Sequence, residues 1–240
     1  MLGRPRAARI VEGDIVGEIL RAAKDGDADM IIMATEGRTG LRRALFGSLT
    51  EAVVRLSPVP VLSLRGTARV ARSVLAPVNA QSYSMAGFHY AEDVARVLGA
   101  SITMLHVKEK GWLASAPLRR IELAADAART FLRLDVALKV VDGDPVRKIV
   151  EESSKHDLVV LVAHRKGLLR DGILGTTAEQ VLRRCDAPVL SVPAPVLTTP
   201  PGSRRRSPGL RGRRAARSVF RRLASTRGRS RSRGASNAAR

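Results

Sequence analysis

A long internal repeat constrains the fold of this chain more than any other feature. The segment Asp29 to Leu64 aligns without a gap with Asp157 to Val192, at an offset of 128 residues. Upstream, VEGDIVGEIL and VDGDPVRKIV also pair, with two extra residues in the first copy. A tandem duplication explains this match, so we expect both copies to fold in the same way.

Within each copy, short apolar runs alternate with stretches of helical periodicity. Residues 30–33 and 158–162 are apolar without alternation, which is typical of strands buried on both faces of a parallel sheet. Helical spacing relates Leu49, Ala52, Val53 and Leu56, and in the second copy Val146, Ile149, Val150 and Ser153. Between residues 72 and 193 the pattern predicts five strands and four helices, and therefore an α/β fold with a doubly wound parallel sheet.

The two copies are unequal in length. We expect residues 1–66 to form the C-terminal half of such a domain, 67–195 a complete domain, and 196–240 a tail. No residues before Met1 match the opening strands of the second copy, so we expect the chain to start inside a longer gene.

Positive charge is concentrated in the tail. The chain has a net charge of +20, and residues 203–240 contain 14 arginines and no acidic residue, leaving about +6 on the first 202 residues. Because the tail is rich in Arg, Ser, Gly and Pro, we expect it to be disordered. It could bind nucleic acid or an anionic surface without sequence specificity, or it could be a solvated extension with no binding role.

Other features exclude several classes of protein. The single cysteine, Cys185, rules out an intrachain disulfide and agrees with a reducing compartment, and we expect it to be a small buried residue near a helix end. We find no apolar stretch long enough to span a membrane and no signal peptide, so we expect a cytoplasmic protein.

The histidines do not form a catalytic or metal-binding pattern. His89, His106, His156 and His164 lack metal-ligand spacing, so we expect structural or surface histidines. No G-x-S-x-G motif occurs either. We therefore predict that the chain is not an enzyme.

Residues 33–53, MATEGRTGLRRALFGSLTEAV, contain the candidate binding site. Glycines let backbone N–H groups approach a ligand, and the N-terminus of the following helix favours a phosphate. Arg38 and neighbouring arginines add positive charge. However, Ser48 and Glu51 also form a capping box, repeated as Thr176 and Glu179. The segment is therefore either a phosphate cradle or a turn that caps a helix.

These residues resemble the universal stress protein family and its ATP-binding signature, a glycine, two residues, a glycine, nine residues, a glycine and Ser or Thr. The resemblance covers about residues 7–195 and includes VDGDP and CDAPVLSVP. It implies a five-stranded sheet of order 3-2-1-4-5, an adenine nucleotide α-hydrolase-like fold. It also implies domain pairing through the last strands, within one chain or in a homo-oligomer. In that sheet order the half-domain would expose one edge of an apolar strand, and we hypothesise that its last strand, VPVLSL, pairs with the last strand of the second copy. By this resemblance, Gly37, Arg38, Gly47 and Ser48 would hold ATP, with Mg²⁺ accompanying it.

Both copies depart from the signature. In the first copy, Ala34 stands at the position of the leading glycine, and the strands that would hold adenine are absent. In the second copy the signature positions are Val162, Arg165, Gly175 and Thr176, and Asn79 replaces the usual aspartate after strand 1. The second copy therefore resembles members that do not bind ATP in the usual way. Its run from His164 to Lys166 could hold an anion or be a solvated loop. The alternative function is a dimerisation or regulatory module that binds no nucleotide.

Overall fold

A computed structural model describes residues 8–34, 48–64, 70–79, 82–109, 116–163, 165–166, 173–174 and 176–193. The helices are α1 (Ile15–Asp25), α2 (Ser48–Leu56), α3 (Ser82–Leu98), α4 (Ala116–Leu132), α5 (Pro145–Ser153) and α6 (Thr176–Arg184). The strands are β1 (Ile31–Ala34), β2 (Val61–Leu64), β3 (Ser73–Val78), β4 (Ser101–Lys108), β5 (Val136–Asp142), β6 (Leu158–Ala163), β7 (Arg165–Lys166), β8 (Ile173–Leu174) and β9 (Val189–Pro193).

Seven strands form one sheet in the order β1-β2-β9-β6-β3-β4-β5. The second copy contributes β3, β4, β5, β6 and β9, and their order in the sheet is the predicted 3-2-1-4-5. All neighbouring strands run parallel except β2 and β9, which are antiparallel. The doubly wound α/β fold is confirmed, but the sheet has seven strands rather than five because the first copy extends it.

The two copies meet at the β2–β9 seam. Leu62 lies opposite Leu190, and Val61 lies opposite Ser191. Leu62 and Leu190 are themselves equivalent in the repeat, so the pairing has approximate twofold symmetry. This confirms the predicted pairing through the last strands, here within one chain.

Helices cover the sheet in two layers. On one face, α3 and α4 bury Phe88, Ala91, Ile121 and Ala125. On the other face, α2, α5 and α6 bury the apolar side chains Val53, Val54, Val146, Ile149, Val181 and Leu182. Both copies contribute to this second cluster, so one apolar core spans the seam.

The buried face of α2 differs from the prediction. Leu56, predicted on the apolar face, is 39% exposed, whereas Thr50 and Val54 are buried. The cause is tertiary, because the core at the seam receives Val53 and Val54 together. It receives their equivalents in the repeat, Val181 and Leu182 of α6, in the same way. Helical periodicity alone could not indicate which of two overlapping stripes would face the sheet.

Local structure is repeated as closely as the sequence. Gly13 and Gly143 both have φ +142, a backbone conformation that favours glycine. The following Asp14 caps α1 by accepting from the Gly17 N–H at 2.6 Å. Asp144 caps α5 in the same way, accepting from the Arg147 N–H at 2.8 Å. The duplication therefore extends to helix capping.

A small strand pair follows β6 and was not predicted. The strands β7 and β8 form a separate antiparallel pair, with Arg165 opposite Leu174. Arg165 and Lys166, for which the sequence left an anion site and a solvated loop open, thus form a short strand, and a run of two residues carries no strand pattern that would predict it. His164 and residues 194–240 lie outside the described residues.

Candidate functional site

The candidate site begins where a parallel strand is followed by a helix start. In the first copy, β1 ends at Ala34 and α2 begins at Ser48, whose side chain is exposed. Gly37, Arg38 and Gly47 lie outside the described residues, so of the predicted site residues the structure places Ser48 alone. It stands at the N-terminus of a nine-residue helix, where unpaired N–H groups and the helix dipole favour an anion.

The capping box predicts Ser48 as the N-cap of α2, and in the structure Ser48 is the first residue of that helix. Likewise, α6 begins at Thr176 rather than after it. The sequence pattern cannot distinguish these alternatives, because serine and threonine are accepted at both positions and helix ends are defined only to within about one residue.

Glu51, the acidic residue of the predicted capping box, forms an ion pair across the seam. Its Oε2 accepts from Arg183 Nη2 at 2.7 Å and from Arg183 Nε at 3.1 Å. Arg183 Nη2 also lies 2.9 Å from Glu179 Oε1. Glu51 and Glu179 are equivalent in the repeat, so one guanidinium from the second copy joins both acids. Arg183 was not identified from the sequence. The signal that could have found it is its counterpart in the repeat, Arg55, because both copies carry an arginine at this position.

This ion pair changes the electrostatics at the start of α2. A free carboxylate in the first turn would repel a bound phosphate, because both are negatively charged. The two groups would also compete for the positive end of the helix dipole. The Glu51 side chain is 16% exposed and faces the Arg183 guanidinium. Arg183 therefore offsets part of the negative charge of Glu51, and it shares its positive charge with Glu179.

In the second copy, the position of the leading glycine of the signature is filled. Val162 lies in β6 and packs against α3 at Gly87, where an added Cβ would overlap the Val162 Cγ2 atom. Only glycine allows this close approach of helix to strand. The valine side chain and α3 therefore occupy the space beside the carboxyl end of β6. Gly87 could not be identified from the sequence, because its role depends on how α3 packs on the sheet.

The carboxyl end of β3 is fixed by local hydrogen bonds. The Asn79 backbone N–H donates to Ser84 Oγ at 2.9 Å, which connects the strand to the first turn of α3. His106 in β4 is 2% exposed, and its Nδ1 lies 3.0 Å from the Val78 carbonyl oxygen. Because a carbonyl only accepts, Nδ1 carries the proton. These contacts join β3, β4 and α3.

The other described histidines also have structural partners. His89 Nδ1 lies 2.8 Å from Glu92 Oε2 within α3. His156, in the turn before β6, contacts the Glu152 carbonyl oxygen at 2.9 Å and Thr103 Oγ1 at 2.8 Å. These geometries agree with the prediction of structural and surface histidines.

Asp157 was not singled out in the sequence, yet it organises the amino ends of the strands. Its Oδ2 accepts from the N–H groups of Arg72 and Ser73, at 2.9 and 3.0 Å, and from Ser73 Oγ at 2.9 Å. Partial burial raises the pKa of this carboxyl, but the hydrogen bonds from Arg72 and Ser73 together lower it below its usual range. Asp157 lies at the edge opposite the candidate site, so its role is structural.

Neither a metal site nor a membrane-spanning helix is found in the described part of the chain. Residues 8–34, 48–64 and the later described ranges contain no group of three or more His, Cys, Asp or Glu side chains that could hold a metal ion. Among the helices placed by the structure, none combines the length and apolar character that a membrane crossing requires.

Comparisons with known proteins agree on one family. The family model described as "Universal stress protein family" matches residues 3–65 and 71–193. A universal stress protein of Mycobacterium tuberculosis is 27% identical over 181 residues, covering 68% of this chain and 61% of the relative. The chain thus spans about three fifths of the length of that relative. A universal stress protein of Methanocaldococcus jannaschii is 43% identical over 56 residues, 23% of this chain and 35% of that protein.

Solved structures give the same result. A universal stress protein from Archaeoglobus fulgidus matches with a TM-score of 0.61 and 26% identity, covering 75% of this chain and 67% of that one. A putative universal stress protein from Pseudomonas aeruginosa matches with a TM-score of 0.61 and 18% identity, covering 89% and 74%, which supports the fold alone. The family model covers most of the chain in two segments, and the fold agrees with it. The chain belongs to the universal stress protein family.

Proposed function

We propose that this chain is a stress-response module that binds ATP through its phosphates at Gly37, Arg38, Gly47 and Ser48, with Mg²⁺ accompanying the nucleotide and without catalysis. The observation that carries the proposal is the ion pair between Glu51 and Arg183 at 2.7 Å. It offsets part of the negative charge of Glu51, the one acidic side chain in the first turn of α2, where a phosphate would approach the helix N-terminus.

The sequence between β1 and α2 supports an anion site of this kind. Residues 35–47 contain three glycines and three arginines. Glycines permit close approach of backbone N–H groups to a phosphate, and guanidinium groups add charge-assisted hydrogen bonds. The affinity would come from these groups together with the first N–H groups of α2.

The second copy does not offer an equivalent site. Val162 fills the position of the leading glycine and packs on α3 at Gly87. Arg165 replaces the second glycine of the signature. We therefore assign nucleotide binding to the first copy, although the second copy keeps the final Gly175 and Thr176.

Calorimetric titration of the full chain with ATP and Mg²⁺ tests this assignment. We expect saturable binding in the micromolar range with one site per chain, about 8 kcal/mol of binding free energy. The variant Gly47→Asp, Ser48→Ala should lose binding, because the new carboxylate meets the phosphates and a hydroxyl is removed.

The repeat provides a matched control for this experiment. Gly175→Asp, Thr176→Ala makes the corresponding change in the second copy and should leave ATP binding within a factor of two. Circular dichroism should show that both variants are folded. Absence of binding by the folded wild-type chain, or loss of binding in the second-copy variant alone, contradicts the assignment.

A second candidate function is a pairing module that binds no nucleotide, with the basic tail as a contact for nucleic acid or anionic surfaces. The β2–β9 seam favours a pairing role, because these strands form a buried interface. The tail would bind polyanions in a strongly salt-dependent manner. Titrations with duplex DNA and with anionic vesicles, at low and high salt, on chains with and without residues 196–240 test this candidate.

A further inference from the structure

The side chain of Asp93 is buried on the side of α3 that points away from the sheet. His89 and Arg96 lie four residues before and three residues after it, so the three side chains share one side of the helix. The opposite side carries Phe88 and Ala91, which belong to the core. The side chains of His89 and Arg96 are 48% and 36% exposed, whereas that of Asp93 is 6% exposed. Part of the chain therefore lies over Asp93.

The covered flank of α3 adjoins the seam. Tyr90 belongs to this flank and is buried, and Gly87, one turn earlier, contacts Val162 in β6. The flank therefore points from β6 towards β9, the next strand in the sheet. On the same face of β9 and β2, Leu190 and Leu62 are buried in one cluster with Tyr90. We call this continuous surface the seam face, formed by Tyr90, Asp93, Leu190 and Leu62.

The helices that the structure describes do not provide this cover. On this face of the sheet, α3 makes its main contacts with β3, β4 and β6, and α4 makes its main contacts with β5. In the first copy, α2 packs on β2 and α1 packs on α2, but both belong to the cluster on the opposite face. Because the seam face is buried within a single chain, its cover comes from this chain itself and requires no partner.

Residues 213–224, RRAARSVFRRLA, have the composition that such a cover requires. Five apolar residues follow the helical spacing i, i+1, i+4, i+5 and i+8, namely Ala215, Ala216, Val219, Phe220 and Leu223. In a helix they form one apolar stripe. Five arginines occupy the other sides, and the segment contains no acidic residue and no proline. The pattern therefore predicts an amphipathic helix whose apolar stripe is bordered by guanidinium groups.

The place of this segment in the chain permits it to reach the seam face. The strand β9 ends at Pro193 in the seam itself, and residues 194–212 follow. At about 3.3 Å per extended residue they can span roughly 60 Å, which exceeds the length of the five-residue strand β9. Residues 35–47 also carry apolar side chains, but they follow β1, where Ile32 lies beside Leu62 and is 48% exposed. A cover arriving from β1 would bury Ile32, so the tail is favoured.

We propose that residues 213–224 fold back as an amphipathic helix and dock on the seam face of the same chain. The apolar stripe packs over Leu62 and Leu190 beside Tyr90. An arginine at the border of the stripe pairs with Asp93, whose carboxylate already accepts from Arg96 Nη1 at 3.1 Å and can accept from further donors. Burial of a carboxylate is costly unless it is paired in this way. The expected disorder then applies to the rest of the tail. This inference is independent of nucleotide binding.

Limited trypsin digestion of the full chain, followed by mass spectrometry, tests the docking, because every tail arginine is a cleavage site for trypsin. Cleavage of a docked segment requires that it first leave the surface. Initial cleavage after the arginines of residues 213–222 should therefore be at least about tenfold slower than after those of residues 204–206 and 227–233.

A polar stripe should abolish the docking. In Phe220→Gln, Leu223→Gln, the arginines of residues 213–222 should be cleaved as fast as the others. The matched control Val196→Gln, Leu197→Gln makes the same kind of change earlier in the tail, outside the proposed helix, and should keep the protection. Asp93→Asn keeps the shape of the side chain but removes its charge, and it should reduce the protection by at least about threefold. Circular dichroism should show that all three variants are folded.

Leucine methyl resonances locate the docked helix. With Phe220 over the seam face, the methyl signals of Leu62 and Leu190 should shift in Phe220→Gln, Leu223→Gln, whereas those of Leu123, exposed on α4, should not. Three results overturn the proposal: equal cleavage throughout the wild-type tail, protection retained in Phe220→Gln, Leu223→Gln, or protection with unchanged Leu62 and Leu190 signals in that variant. Protection that disappears on dilution would place the helix on a second copy of this chain and would also contradict docking within one chain.

Discussion

Gly87 fixes how closely α3 approaches the sheet. A Cβ at this position would overlap Val162 Cγ2, so Gly87→Ala must push the helix or the strand aside. Overpacking of this kind costs about 1–3 kcal/mol, less up to about 1 kcal/mol from the better helix propensity of alanine. We expect urea denaturation to show a net loss of about 1–2 kcal/mol in the free energy of unfolding.

The double variant Gly87→Ala, Val162→Ala is the control for this prediction. Removing the Val162 methyl groups makes room for the new Cβ, so the double variant should be more stable than the sum of the single changes predicts. Strict additivity, or a Gly87→Ala variant as stable as the wild type, contradicts this packing of α3 on β6.

The hydrogen bonds of Asp157 make part of the protein's stability dependent on pH. Its carboxylate is held in the folded state by the N–H groups of Arg72 and Ser73 and by the Ser73 hydroxyl, and its pKa is lowered. A carboxyl with a lowered folded-state pKa contributes stability above its unfolded pKa of about 4, and this contribution is lost as the pH falls through the folded pKa. Because the side chain is exposed, we expect Asp157→Ala to cost only about 1 kcal/mol at pH 7.

Denaturation of the wild type and Asp157→Ala at several pH values measures this effect. The difference in stability between the two should be constant from pH 7 to pH 5 and should shrink below pH 4. A difference that grows at low pH, or that is unchanged at pH 2, contradicts the hydrogen-bonded carboxylate. Asp126→Ala is a suitable control, because Asp126 is exposed and pairs with Arg129 on the surface of α4.

For single residues, the sequence predicted burial and place in an element better than it predicted contacts. Cys185 was predicted to be a small buried residue near a helix end, and it is buried directly after α6. The contacts of Gly87 and Arg183 join elements far apart in the chain. No local pattern predicts them, because each depends on how two elements pack.

Among the strands and helices, β2 is the one through which the first copy pairs with the second. Leu62 is 1% exposed and lies opposite Leu190 at the centre of the seam. Leu62→Ala removes buried apolar surface and leaves a cavity, so we expect a loss of about 2–5 kcal/mol in the free energy of unfolding. Leu123→Ala, at a 57% exposed position in α4, should cost less than about 1 kcal/mol.

Denaturation should also show one cooperative transition for the described part of the chain, because the apolar cluster beneath α2, α5 and α6 contains residues of both copies. A separate early transition assigned to the first copy, or a Leu62→Ala variant no less stable than Leu123→Ala, would show that β2 is not buried in the seam.

Strands were predictable wherever both copies carried the same strong pattern. The apolar runs predicted β1 and β6, and the VPVLSL and APVLSV segments predicted β2 and β9. The buried face of α2 was predicted one stripe away, because Leu49, Ala52, Val53 and Val54 allow two overlapping apolar faces. The pair β7 and β8 could not be predicted from two residues each.

In the molecule as a whole, both the order of strands in the second copy and the pairing through the last strands followed from the family resemblance. The seven-stranded sheet combines the strands of both copies, since antiparallel pairing of the equivalent strands β2 and β9 joins the copies edge to edge. The candidate site was predicted less well than the fold. Val162 against Gly87, and Glu51 with Arg183, distinguish the two copies only after packing.

The seam holds the two copies in one sheet, and the proximity of two leucines tests it. Opposed residues in antiparallel strands have Cβ atoms about 4.5–5.5 Å apart, so the methyl groups of Leu62 and Leu190 should give a strong NOE. Mixing differently labelled chains and filtering for contacts between them distinguishes pairing within a chain from pairing between chains. We predict an NOE within one chain that persists on dilution. No NOE, or one seen only between chains, would contradict the seven-stranded sheet.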